Sequence, residues 1–138
     1  MASVKVSERI EAAAKDVWEL LRDFGGVQRF SPGIEACSVD GEGVGSVRTL
    51  TLAGGIRLQE RLERFDDAGR TLQYSIVGGP LPFEGYLSTL SVVEEENGCR
   101  IEWGSRFEPR GVSEEQARTL VEGIYRGGIA GVRQTLGA

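Results

Sequence analysis

Between residues 34 and 108 the chain reads as six short alternating runs with only brief breaks between them. The runs cover 34–40, 46–53, 56–66, 70–78, 84–94 and 99–108. The breaks read "DGEGVG", "AGG", "DDAG", "GGPLP" and "EENG". Alternation with period two is the signature of side chains on opposite faces of a strand. Breaks this short leave no room for a crossover helix, so successive runs must fold back as antiparallel hairpins. Any architecture proposed for the chain has to contain this meander.

The flanks complete the pattern. "SVKVSERI" at 3–10 alternates Val4, Val6 and Ile10 against Lys5, Ser7 and Arg9, which predicts a first strand. "EAAAKDVWELLRDF" then places Val17, Trp18, Leu20, Leu21 and Phe24 at helical spacing, with Gly25-Gly26 as the expected stop. "VQRFSPG" predicts a second short helical turn, broken at Pro32. At the other end, "SEEQARTLVEGIYRGGIAGVRQTL" opens on a capping-box pattern, Ser113 with Gln116. Ala117, Leu120, Val121, Ile124 and Val132 mark its apolar face. The order is strand, two short helices, six strands and a long helix. This is an α+β design: one curved, seven-stranded antiparallel sheet gripping the terminal helix. The glycines of "GEGVGS" suggest a phosphate loop, but a strand follows rather than a helix, so the segment reads as a hairpin turn.

Composition removes whole classes of function. A chain of 138 residues suits one domain, expected to span 1–138. With no histidine, the commonest general base, the Ser-His-Asp triad and most zinc sites are gone. No cofactor and no metal are expected. A net charge of −5 and no basic cluster argue against nucleic acid as a partner. The predominance of arginine over lysine reflects genome composition rather than a site. Cys37 and Cys99 form no CxxC motif, and both are expected in the core. No signal peptide and no apolar run of about 20 residues occur, so membrane insertion is not expected and a cytoplasmic location is. The oligomeric state, a homodimer included, stays open.

One stretch breaks the binary pattern. In "IRLQERLERF", Arg57, Gln59, Arg61 and Glu63 share one face, while Ile56, Leu58 and Leu62 share the other. Glu60 falls among the aliphatic residues. On 46–53, Arg48 likewise falls with Leu50 and Leu52. A lone buried charge costs several kcal/mol even after relaxation, so each needs a partner or a wet cavity. If the two strands pair around Ala53–Gly55, residues 48 and 60 are cross-strand neighbours. The same alternation brings Tyr74, Tyr86, Ser88 and Trp103, with Glu8 at the margin, to the inner face. In the terminal helix, Gly123, Gly127 and Gly131 form one stripe, with Gly128 beside it. Each glycine costs about 1 kcal/mol against alanine, so the stripe either leaves volume for a cavity or allows close packing. The predicted cavity lining is Leu58, Leu62, Ile124 and Gly127 around the polar group Arg48, Glu60, Tyr74, Tyr86, Ser88 and Trp103.

Taken together, "VWELLRDFGGVQRFSPGI", "DDAGRTLQYSIVGGPLPFEGYLSTLSV" and the terminal helix resemble the helix-grip superfamily of Bet v 1 allergens, START domains and polyketide cyclases. The resemblance covers about 3–136 and implies that fold, with a cavity for a small hydrophobic ligand. The stretch from Arg48 to Tyr86 is similar to two plant branches, the lachrymatory factor synthases and the abscisic acid receptors. The synthase likeness implies Arg48 and Glu60 as a catalytic pair, with Tyr74 and Tyr86 in the pocket. The receptor likeness implies a gate at "GGPLPFEG". The lysine with which those receptors hold a carboxylate has no counterpart here. Three functions remain open: a binding protein for an aromatic, polyketide or lipid-like molecule; a metal-free cyclase, dehydratase or isomerase, with Glu60 moving a proton and Arg48 stabilising an oxyanion; or an interaction domain with a closed core.

Overall fold

The computed structural model describes residues 1–138. Strand β1 (Ala2–Ile10) leads into helix α1 (Ala14–Leu21) and a 3-10 helix over Phe24–Arg29. Strands β2 (Ile34–Asp40), β3 (Val47–Leu52), β4 (Arg57–Asp66), β5 (Thr71–Gly78), β6 (Phe83–Glu95) and β7 (Gly98–Pro109) follow, then helix α2 (Glu114–Leu136). All seven strands form one sheet in the order β1-β7-β6-β5-β4-β3-β2. Every neighbouring pair is antiparallel. This is the α+β helix-grip fold that the hairpin pattern predicts. β1 and β2 lie at opposite edges, so the two short helices between them must cross the sheet.

Curvature comes from bulges, which bend a strand and increase its twist. Register shifts occur at Ile34/Ala36, Gln59/Glu60, Leu62/Arg64 and Glu84/Leu87. Two of the four flank Glu60 and Tyr86. The concave face holds a continuous core in which Val6, Ile10, Ile101 and Phe107 are fully buried against α1 and α2. Burying each such side chain contributes roughly 1.5–3 kcal/mol.

Helix α2 starts where its sequence says it should. Ser113 Oγ accepts from the Gln116 N–H, and Gln116 accepts from the Ser113 N–H. Its buried face, however, is rotated from the expected one. Ala117, Val121, Tyr125, Ile129 and Val132 are buried, whereas Leu120 and Ile124 are 43% and 45% exposed. Tyr125 takes the central place because it stacks on Trp103 of β7, with ring centroids 4.5 Å apart. Ile56 is also outside the core, 46% exposed in the β3–β4 turn. Cys99 is buried as expected, but Cys37 is only partly so.

The first helix is shorter than expected. It ends at Leu21, and Gly25-Gly26 lies inside the 3-10 helix rather than stopping α1. A Cβ at Gly25 would come within 2.9 Å of Val39 Cγ2 on β2, while one at Gly26 would meet only the exposed ends of Asp23 and Arg29. Gly25 serves close packing, not helix termination. Trp18 pins α1 to the β4–β5 turn by donating from Nε1 to Asp67 Oδ1 at 2.8 Å.

Glu8 belongs to this scaffold rather than to the inner polar group. Its carboxylate accepts from Arg133 at 2.7 Å and Arg126 at 2.8 Å, which clamps α2 onto β1. Burial alone would raise its pKa, but the bonds from Arg133 and Arg126 outweigh that and hold it below the usual carboxylate value. The clamp is therefore at full strength above the unfolded value of about 4.3 and is lost as pH falls through the lower folded value. Glu8→Gln should lower stability at neutral pH and flatten the acid limb of a stability–pH profile followed by urea unfolding. An unchanged acid limb would remove Glu8 from the acid response. No helix of the chain is long and apolar enough to cross a membrane.

Candidate functional site

Arg48 on β3 and Glu60 on β4 are direct cross-strand partners. Both are buried, at 7% and 6% exposure. Nε of Arg48 donates to Glu60 Oε1 at 2.8 Å, and Nη2 lies 2.6 Å from the same oxygen in an ion pair. Nη1 donates to the Phe24 carbonyl at 3.0 Å, and the guanidinium lies 4.0 Å from the centre of the Phe24 ring. The β3–β4 hairpin thus solves the problem of two charges on apolar faces by pairing them. The 3-10 helix supplies the third contact through the backbone of its first residue, Phe24.

Beside this pair lies a cavity of about 310 Å³ between sheet and α2. Leu50, Leu58 and Ile76 supply much of its apolar wall. Arg48 and Glu60 are the charged residues in its lining. Tyr74, Tyr86 and Trp103 face it from β5, β6 and β7. Of the predicted lining, Leu58, Ile124 and Gly127 border this space, Ile124 from the exposed rim. Leu62 and Ser88 do not: Leu62 is packed in the core, and Ser88 is sealed beneath the tyrosines.

Ser88 organises a buried hydrogen-bond chain. Its Oγ lies 3.2 Å from the Gly104 carbonyl, an acceptor, and 3.0 Å from the Tyr125 hydroxyl, where either oxygen can donate. The Tyr86 and Tyr125 hydroxyls are hydrogen-bonded to each other, again with either able to donate. Trp103 Nε1, a donor only, reaches both Ser88 Oγ at 3.0 Å and the Tyr74 hydroxyl at 3.1 Å. Tyr74 thus accepts and keeps its own proton free. Burial pushes the Tyr74, Tyr86 and Tyr125 phenols up, so all three stay protonated at neutral pH.

Sequence reasoning missed Tyr125 and Phe24. Tyr125 was findable: Val121, Tyr125, Ile129 and Val132 also keep helical spacing. Phe24 contributes a backbone carbonyl, which no side-chain pattern reveals.

The glycine stripe divides between the two roles proposed for it. A Cβ at Gly123 or Gly127 would meet nothing within 4 Å, and both border the cavity. A Cβ at Gly128 would press on Trp103, and one at Gly131 would overlap the Phe30 carbonyl. Two loops frame the mouth. Leu81 reaches it from the β5–β6 connection and Phe83 from the first position of β6, with Ser31, Pro32 and Gly33 from the segment before β2. Gly79 begins the first loop at φ +121, where a side chain would be strained and would press on the Arg57 carbonyl.

Residues 1–137 match the family described as polyketide cyclase / dehydrase and lipid transport. The abscisic acid receptor PYL2 of Arabidopsis thaliana is 32% identical over 133 residues, 88% of this chain and 70% of that protein. The receptor PYL10 of the same plant is 37% identical over 93 residues, 64% of this chain and 51% of its own length. Apart from PYL2, the chain spans about half the length of the plant receptors it matches. Among solved structures, the protein XoxI from Bacillus cereus is 36% identical, with a TM-score of 0.91 over 97% of this chain and 94% of that one. A Thermobifida fusca protein is 25% identical with a TM-score of 0.87, covering 98% of this chain and 93% of its own. Fold, family match and sequence likeness agree: the chain belongs to the polyketide cyclase / dehydrase and lipid transport family.

Proposed function

We propose that the protein binds a small hydrophobic molecule, aromatic or polyketide-like, between its sheet and α2. The observation that carries this reading is the cavity itself, an apolar space of about 310 Å³ with a few polar groups on its wall. That is the usual composition of a small-molecule site, at the small end of the ~300–1,000 Å³ range. The volume favours a compact one- or two-ring compound over a long lipid chain. The β5–β6 loop and the segment Ser31–Gly33 are the two sides of its entrance, with the loop as gate. Both thiols are free, which suits a reducing cytoplasm.

The test uses Trp103, whose indole borders the cavity. Titration with a naphthalene-based probe should quench its fluorescence. Gly127→Phe places a ring in the empty space beside the helix and should weaken probe binding at least tenfold while the protein stays folded. Probe binding that survives Gly127→Phe unchanged would move the site elsewhere.

A second reading is favoured by one observation: Arg48 meets Glu60 at Oε1, and no protein hydrogen bond is donated to Oε2. A carboxylate oxygen open to a cavity can accept a proton from a bound carbonyl compound. In this reading the protein is a metal-free cyclase, dehydratase or isomerase. Glu60 moves the proton and Arg48 stabilises the negative charge that develops. Glu60→Gln would then reduce turnover roughly 10²–10⁴-fold.

A further inference from the structure

The cavity's free hydrogen-bonding groups form a specific set. Glu60 Oε2 takes no bond from the protein. It is not a sealed orphan either: Ser105 Oγ is the one fully buried side-chain polar atom without a partner. Oε2 thus opens to the space that Glu60 borders. The Tyr86 hydroxyl is engaged with that of Tyr125. The Tyr74 oxygen already accepts from Trp103, so its O–H is free to donate. The lining therefore presents one carboxylate acceptor, Glu60 Oε2, and one neutral donor, the Tyr74 hydroxyl. Its single cation, Arg48, is committed to Glu60 and to the Phe24 carbonyl.

An incoming carboxylate would have to approach Arg48 past the like charge of Glu60, in a site of low dielectric. A ligand with only acceptor oxygens would leave Glu60 Oε2 desolvated and unpaired, which is costly. A neutral hydroxyl meets neither penalty.

We infer that the cavity selects a neutral, hydroxyl-bearing ring compound, with its O–H donated to Glu60 Oε2 and an oxygen accepting from Tyr74. This rests on the ligand-binding reading above and adds the chemical class. Arg48 then acts as a positioning residue that fixes Oε1 and leaves Oε2 facing the ligand, while Tyr74 and Glu60 set specificity.

Three probes on one ring system test it: 2-naphthol, 2-methoxynaphthalene and 2-naphthoate, titrated at neutral pH. The wild type should bind 2-naphthol at least about tenfold more tightly than either of the others, the scale of one hydrogen bond to a charged group. Glu60→Gln should reverse part of this order. Arg48 would hold the amide oxygen, and the amide N–H₂ would face the cavity, so 2-methoxynaphthalene should gain on 2-naphthol. Tyr74→Phe should weaken both neutral oxygen probes several-fold and leave unsubstituted naphthalene unchanged. Tightest binding of 2-naphthoate, or equal binding of 2-naphthol and 2-methoxynaphthalene by the wild type, would overturn the inference and leave the apolar site standing. Failure of every probe, naphthalene included, to quench Trp103 would overturn the binding reading as well.

Discussion

Replacing Arg48 with methionine will cost the fold about 3–5 kcal/mol, the typical penalty for stranding one member of a buried ion pair. Glu60 is 6% exposed, and no donor other than Arg48 reaches it. Glu60→Leu should cost less, because Arg48 keeps the Phe24 carbonyl at 3.0 Å and the Phe24 ring at 4.0 Å. Arg48→Met combined with Glu60→Leu should return most of the lost stability, since an apolar pair of similar volume avoids desolvating either charge. Urea unfolding of the four proteins gives the coupling energy directly. Simple additivity of the two losses would show that the pair does not act as a unit. Near-wild-type stability of the double variant would imply that the pair is kept for its place in the cavity rather than for folding.

The glycines of α2 should respond in opposite directions to one methyl group. Gly127→Ala adds a Cβ with nothing within 4 Å and should stabilise the helix by about 1 kcal/mol. The same substitution at Gly131 drives the Cβ into the Phe30 carbonyl, where backbone rather than a flexible side chain must yield. Overpacking of this kind costs roughly 1–3 kcal/mol, and the displaced segment adjoins the 3-10 helix that carries the Phe24 carbonyl. Thermal midpoints should separate in sign, by several degrees each way. A Gly131→Ala protein as stable as wild type would mean that the helix does not approach the Phe30 backbone closely.

The strands were legible because each uses one face for the core, which writes burial into the sequence with period two. The Arg48–Glu60 contact was legible for the same reason: two charges on inward faces become neighbours if the short hairpin pairs around Ala53–Gly55, as it does. Legibility fell where a contact depends on rotation or on backbone. Leu120 and Ile124 fit a helical stripe as well as Tyr125 and Ile129 do, and only the stacking of Tyr125 on Trp103 decides between them. Ser88 points inward as alternation requires, yet the tyrosines above it close it off from the cavity. Gly25-Gly26 resembled a helix stop because spacing cannot tell a terminator from a close approach. The bulge beside Tyr86 carries Gly85 in the left-handed region at φ +64, whereas the one beside Glu60 has no such glycine.

The strand order has a consequence for synthesis on the ribosome. β1 is made first, but its only sheet neighbour is β7, with Ile10 opposite Cys99 and Ala2 opposite Phe107. At roughly 5–20 residues per second, β1 waits on the order of 5–20 s for that partner to be translated. During this interval it is an unpaired edge carrying Val4, Val6 and Ile10 on one side. Lys5 and Arg9 on the other side, and Glu8 among the apolar residues, are the kind of charges that discourage such an edge from pairing with another chain. The Glu8 clamp to Arg126 and Arg133 can close only after α2 has emerged. The residue that fastens the finished fold therefore also guards its oldest strand while the rest is being made.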